Sequence, residues 1–180
     1  MKEIYTRRLK IRDLSLIDLD DFYEYAKIPE VGKNAGFEPH ESIFHSEFIL
    51  NDLILSKDTF AIELLHNKKM IGTISIYDDI KKEKFLEENE ISIGYSLSSS
   101  YWNQGFATEA AIAILKDYLN NHPSIKAIKV MSFDNNFRSK RVIEKLGFHK
   151  YDMTIINEIE TNHYKITVND FKEKHSNKEI

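Results

Sequence analysis

The chain has 180 residues, 42% hydrophobic and 30% charged, and its 25 basic and 29 acidic side chains leave a formal charge of −4. That composition belongs to a folded globular chain, and its mild acidity argues against general nucleic-acid binding, which needs a basic stripe. The lack of cysteine excludes disulfides, thiolate zinc sites, iron–sulfur clusters and cysteine nucleophiles. No apolar run approaches the ~18 residues of a membrane span. Met1-Lys2-Glu3-Ile4-Tyr5 lacks the apolar stretch of a signal peptide. The expectation is one cytoplasmic domain over residues 1–180, with a core at about 5–170 and a polar, frayed tail.

Leu9 and Ile11 alternate with Arg8, Lys10 and Arg12, a first strand. Ser15 and Asp18 form a capping-box pattern, and Leu19, Phe22, Tyr23 and Ala26 then mark one helical face. Residues 29–40 hold two prolines and two glycines and read as a loop. A second helix is expected from Ser42 to Leu55. Phe60–Leu65 and Ile71–Tyr77 read as a hairpin turned at Asn67-Lys68. The charged run at 78–89, with Lys81-Lys82-Glu83-Lys84, reads as a solvated excursion. Ile91, Ile93, Tyr95 and Leu97 alternate with Glu90, Ser92, Gly94 and Ser96, a clean strand. A helix over 105–120 presents Ala107, Ala110, Ala111, Ile114, Leu115 and Tyr118. A strand at 125–132 leads to a helix at 136–146 with Val142, Ile143 and Leu146 inward and Gly147 as its stop. Strands near 148–156 and 163–168 finish a mixed α/β sheet of order β-α-α-β-β-β-α-β-α-β-β.

The stretch from Ile93 to Ala110 carries the most chemistry. A strand ends, a polar loop carries Gly105-Phe106-Ala107, and a long helix begins. The first turn of a helix has free N–H groups and a partial positive charge, and a small residue lets that backbone approach an anion. Alone this is a weak signal, since any helix can start after a glycine. Neither a Walker A sequence nor the three-glycine dinucleotide fingerprint is present.

The core Tyr101-Trp102-x-x-Gly105-x-Ala107-Thr108-Glu109-Ala110 resembles the coenzyme A loop of GNAT-superfamily N-acetyltransferases, nearest to the RimJ/RimL-type branch. Downstream, Asn136-Phe137-Arg138-Ser139-Lys140-Arg141-Val142-Ile143-Glu144-Lys145-Leu146-Gly147-Phe148 is similar to that branch's Asn-x-x-Ser-x-Arg-Val helix. Thr6-Arg7-Arg8-Leu9-Lys10-Ile11-Arg12 resembles its opening strand, and Asn162-His163-Tyr164 its end. The resemblance implies an α/β (α+β) fold with a mixed, mostly antiparallel sheet of about seven strands. Helices would cover both faces, and the sheet would splay at the fourth and fifth strands. It implies acetyl-CoA as co-substrate and no metal. Leu97 and Ser98 would offer backbone groups to pantetheine. Asn103, Gln104, Gly105, Phe106, Ala107 and Thr108 would hold the pyrophosphate through N–H groups. The family's usual Gln or Arg three residues before the glycine is Trp102 here.

By the same resemblance the reaction is direct acetyl transfer to an amine, which must lose a proton before it attacks. Glu90 is the candidate base, since it shares a face with Ser92, Gly94 and Ser96. The bland reading of Glu90 is an exposed carboxylate at a strand edge, and many relatives carry a Glu where Ser92 stands. Ser139 is the candidate partner of the departing sulfur, with capping in the helix's first turn as its bland reading. The position of the family's frequent acidic Tyr is Ile143. Asn136 would cap the helix and touch pantetheine or water. The seven histidines show no metal-ligand spacing. Phe22, Phe44, Phe48, Phe60 and Phe148 read as core, while Phe37, His40 and Tyr77 are candidates for the acceptor side. Implied partners are acetyl-CoA and an amine, either a protein N-terminus or a small molecule such as a polyamine, amino acid or antibiotic. No nucleic acid or membrane is implied, and the chain is expected as monomer or homodimer. A non-catalytic acyl-CoA-binding module is the alternative from another class.

Overall fold

The computed structural model describes residues 2–78, 85–156 and 158–176. Among them are eight strands: β1 (Ile4–Tyr5), β2 (Leu9–Asp13), β3 (Thr59–Leu64), β4 (Met70–Tyr77), β5 (Glu90–Leu97), β6 (Ala127–Phe133), β7 (His149–Ile156) and β8 (Ile159–Thr167). Six α-helices accompany them: α1 (Leu19–Ala26), α2 (Pro29–Ala35), α3 (Ile43–Ser56), α4 (Phe106–Asn121), α5 (Phe137–Leu146) and α6 (Val168–His175). The strands form one mixed sheet in the order β1-β2-β3-β4-β5-β6-β8-β7. The pairs β1–β2, β2–β3, β3–β4, β6–β8 and β7–β8 are antiparallel, and β5–β6 is parallel. The count exceeds the expected seven because two residues, Ile4 and Tyr5, pair with Ile11 and Lys10 ahead of the first anticipated strand.

The chain divides into two compact units, one comprising Met1–Ser75 and Tyr95–Ala110, the other Ile76–Gly94 and Ala111–Ile180. In the first, Leu14, Phe22, Tyr25, Ala26, Val31, Leu50, Ala61 and Met70 form the core, and Trp102 packs against it. The buried position in the last turn of α1 is Tyr25 rather than Tyr23. The anticipated loop at 29–40 contains α2 instead. Pro29 fits its first turn, where the missing N–H costs nothing, and Gly36 at φ 81° stops it. Ser42 caps α3 through the His45 N–H. Phe44 and Phe48 on that helix are 78% and 65% exposed, so they are surface residues and not core. They lie four apart, on one stripe, while Ser46 and Leu50 of the same helix turn inward.

In the second unit the buried set includes Ile114, Leu115, Ile128, Val130, Ile143, Leu146, Ile166 and Phe171. Asn136 accepts the Ser139 N–H at the start of α5, and Gly147 at φ 94° ends it. The expected frayed tail is ordered through 176. Thr167 caps α6 by accepting the Asp170 N–H, and Phe171 and His175 bury one face of it. Asn162, His163 and Tyr164 lie inside β8, not ahead of it. The run 81–84 lies outside the described residues, but its C-terminal neighbour Leu86 is buried rather than solvated.

Candidate functional site

In the first unit the end of β5 turns into α4 through a short 3-10 turn, Ser99–Tyr101, and a polar loop. Asn103 and Gly105 adopt positive φ, at 60° and 85°. Asn103, Gln104 and Gly105 are exposed, whereas Phe106 and Ala107 are buried. A helix of sixteen residues therefore opens toward solvent with a first turn whose N–H groups have no partner in its own backbone. The Glu109 N–H closes the first turn onto the Gly105 carbonyl at 3.0 Å. The Thr108 hydroxyl is buried and makes no hydrogen bond. A positive-φ glycine, a bare helix start and an orphaned hydroxyl together fit an anionic group, and they are the features a pyrophosphate needs.

Two contacts were not foreseen from sequence. The Trp102 indole N–H donates to the Leu97 carbonyl at 2.9 Å, and the Ser98 N–H donates to the Ile71 carbonyl at 2.8 Å. Two of the backbone groups expected to meet pantetheine thus already have protein partners. β4 and β5 also run tightly here: a methyl on Gly72 would overlap the Ser96 carbonyl and Leu97. Arg8 and Glu109 form the second missed feature. Arg8 Nη2 lies 2.6 Å from Glu109 Oε2, and Arg8 Nη1 donates to the Gln104 carbonyl at 3.1 Å. The sequence cue is that Arg8 lies in the opening-strand motif and Glu109 in the motif that leads into α4, 101 positions apart.

Behind this loop Tyr25 is wholly enclosed, its hydroxyl without a hydrogen bond. Burial pushes its pKa up to about 12, tempered by the hydroxyls of Ser96 and Thr73, which pair with each other at 3.0 Å. Phe37 and His40 also belong to this unit. His40 is buried, bonds Ser46 at 2.7 Å and stacks on His45 at 4.8 Å, and burial followed by the His45 charge lowers its pKa. That ring is a core fixture rather than an open acceptor contact.

In the second unit β5 and β6 pair, among the described residues, through Glu90–Ala127, Ile91–Ile128 and Ser92–Lys129, although the strands hold eight and seven residues. The pairing stops halfway, which is the splay that the resemblance implies. Glu90 is not exposed. Its carboxylate lies 2.5 Å from both Lys129 Nζ and Lys165 Nζ and accepts the Glu87 N–H at 3.0 Å. Burial pushes its pKa up, but the hydrogen bonds from Lys129, Lys165 and Glu87 and the Lys129 charge outweigh that and hold it below the ordinary value. A base needs the opposite shift and an open oxygen. This geometry makes Glu90 a clasp between strands. On the same face, by register, His163 bonds the Thr154 hydroxyl at 2.7 Å, and burial lowers its pKa. Tyr77 packs over Gly94.

Asn136 is buried and caps α5, as expected, while Ser139 is half-buried and receives that cap through its N–H. Capping of α5 thus belongs to the Asn136 side chain. Ile143 is fully buried. Among the described residues no group of three His, Asp or Glu could hold a metal ion, and no helix is long and apolar enough to cross a membrane.

The acetyltransferase (GNAT) domain profile matches residues 8–149. The chain is 29% identical over 155 residues to the uncharacterized N-acetyltransferase p20 of Bacillus licheniformis, covering 83% of this chain and 84% of that one. It is 30% identical over 151 residues to the uncharacterized N-acetyltransferase YnaD of Bacillus subtilis, covering 82% of each. Among solved structures, a GNAT-family acetyltransferase from Bacillus anthracis superposes with a TM-score of 0.79 at 23% identity, over 92% of this chain and 98% of that one. The aminoglycoside acetyltransferase AAC(6')-Ib, solved in complex with coenzyme A, superposes at 0.72 with 20% identity, over the same shares.

Proposed function

Because the chain belongs to the GNAT acetyltransferase family, an acetyl-CoA-dependent N-acetyltransferase domain matching over residues 8–149, we propose that it acetylates the α-amine of a protein N-terminus, as a member of the RimJ/RimL-type branch. The observation that carries the reading is the start of α4, where Gly105, the bare first turn and the unsatisfied Thr108 hydroxyl suit a pyrophosphate. Bound acetyl-CoA supplies an activated acetyl thioester. Asn103 through Thr108 hold its phosphates with backbone N–H groups, and Leu97 and Ser98 offer pantetheine what their protein partners leave. Asn136 and Ser139 keep the roles that the resemblance implies, Ser139 donating its hydroxyl toward the departing sulfur. Without cysteine there is no thiol to carry an acetyl-enzyme, which favours direct transfer.

The tied state of Glu90 favours an α-amine over a lysine. An α-amine has a pKa of about 8 and a lysine about 10.4, so near neutrality roughly a tenth of the former is already free to attack. The lysine needs a base that Glu90 does not supply. The test measures thiol release from acetyl-CoA with a panel of peptides, with or without a blocked N-terminus, and of polyamines, amino acids and aminoglycosides. Release that requires a free peptide N-terminus supports the reading. Release only with small amines reassigns the acceptor. Tight coenzyme A binding with no release on any acceptor makes the protein a binding module.

A further inference from the structure

We infer that Arg8 is a positioning residue of the coenzyme A loop, fixing the peptide between Gln104 and Gly105 and cancelling the charge of Glu109 behind it. The inference rests on the reading above. From Ser98 to Glu109 there is no lysine or arginine, and the one charged residue is an acid in the first turn of α4. Trp102, which stands where the resemblance implies a Gln or Arg, has its single polar side-chain atom bonded to the Leu97 carbonyl. The amides of the loop therefore hold the phosphates without a side-chain partner there, and an uncompensated carboxylate would oppose them.

Arg8 answers both problems from the start of the chain. Its Nε and Nη2 reach Glu109 Oε2 at 2.8 and 2.6 Å, while Thr6 Oγ1 and the Arg8 N–H bond the other oxygen at 2.6 and 3.1 Å. The carboxylate is thereby filled by four donors. The guanidinium lies 4.2 Å over the Phe106 ring and donates through Nη1 to the Gln104 carbonyl. In a trans peptide the carbonyl and the following N–H point opposite ways. Holding the Gln104 carbonyl on Arg8 thus turns the Gly105 N–H to the far side of the loop. Arg8 acts through that peptide, and a lysine, whose three N–H donors sit on a single nitrogen, lacks the planar fork that reaches Glu109 and Gln104 from separate nitrogens.

The test is calorimetric titration with coenzyme A, alongside KM and kcat for acetyl-CoA. Arg8→Lys keeps the charge but loses the fork. The double variant Arg8→Gln/Glu109→Gln removes the pair without stranding a carboxylate. Both are expected to raise Kd and KM about tenfold with kcat within about twofold. Variants that bind coenzyme A as tightly as the parent while melting earlier would reduce the pair to scaffold and overturn the inference. A fall in kcat at unchanged KM would overturn it as well. A parent protein that fails to bind coenzyme A would remove the proposed function itself, and this inference with it.

Discussion

Glu109 and Glu90 are both carboxylates filled with donors, and each lies in a different unit of the chain. Glu109 is held by a guanidinium, a hydroxyl and a backbone N–H, and its clasp shapes a solvent-facing loop. Glu90 is held by two ammonium groups and a backbone N–H, and its clasp joins β5 to β6 and β8 where the parallel pairing is only three residues long. The side chains of Glu90 and Lys129 are each 5% exposed, whereas Arg8 is 41% exposed. Burial alone therefore does not identify the functional acid. The deeper carboxylate ties three strands together, and the shallower one ties the start of the chain to the loop before α4.

The comparison breaks first at Glu90. Removing one partner of a buried pair typically costs about 3–5 kcal/mol. Glu90→Gln is thus expected to lower the urea-unfolding free energy by about that amount, because the amide keeps an acceptor oxygen but no negative charge to set against the buried Lys129 ammonium, whose other close acceptor is the Phe85 carbonyl at 2.6 Å. A loss below about 1 kcal/mol would mean the clasp is solvated and the carboxylate available as a base after all. At the loop, Gly105→Val places a branched side chain at φ 85° with open space around it, apart from Arg8 Nη2 at 3.5 Å. Backbone strain of about 1–3 kcal/mol is expected there, with coenzyme A affinity falling at least tenfold by calorimetry. Unchanged affinity would sink the pyrophosphate assignment.

A pH titration sharpens the contrast. The folded pKa of Glu90 lies below its unfolded value near 4.5, so its stabilisation is complete above that pH and is lost as pH falls through the folded value. The acid limb of the stability profile should be shallower in Glu90→Gln by at most about 1.4 kcal/mol per pH unit. An identical limb would assign acid lability elsewhere, for example to His163, whose lowered pKa acts with the same sign from a higher pH. The smallest effect is expected at Ser139→Ala: kcat down about three- to tenfold, within the usual range for one hydrogen bond, with acetyl-CoA affinity unchanged. Unaltered turnover would retire Ser139 from the sulfur.

Much of the architecture was legible because its signals are local. Period-two alternation marked β2 and β5, Ser42 and Asn136 announced α3 and α5, and Gly147 stopped α5. The loop before α4 was legible for the same reason, since its positive-φ glycine and helix start are adjacent in sequence. Errors arose where short-range cues compete. Two prolines and two glycines masked α2, because Pro at a helix start and Gly at its end are also loop residues. Residue type places Phe44 and Phe48 in the core, but the turn of α3 points them outward.

What residue order could not convey was pairing at long range. Glu90 was legible as a strand-edge acid, yet its chemistry depends on Lys129 and Lys165, which arrive 39 and 75 positions later through β6 and β8. Arg8 was legible as part of an opening strand, and its seat on the loop before α4 depends on Glu109, 101 positions away. The pattern of apolar spacing, caps and glycines specified the elements and the family loop, because those forces act within a few residues. Which charges meet is set by sheet register and helix docking, and only the folded chain decides whether a carboxylate is a base or a clasp.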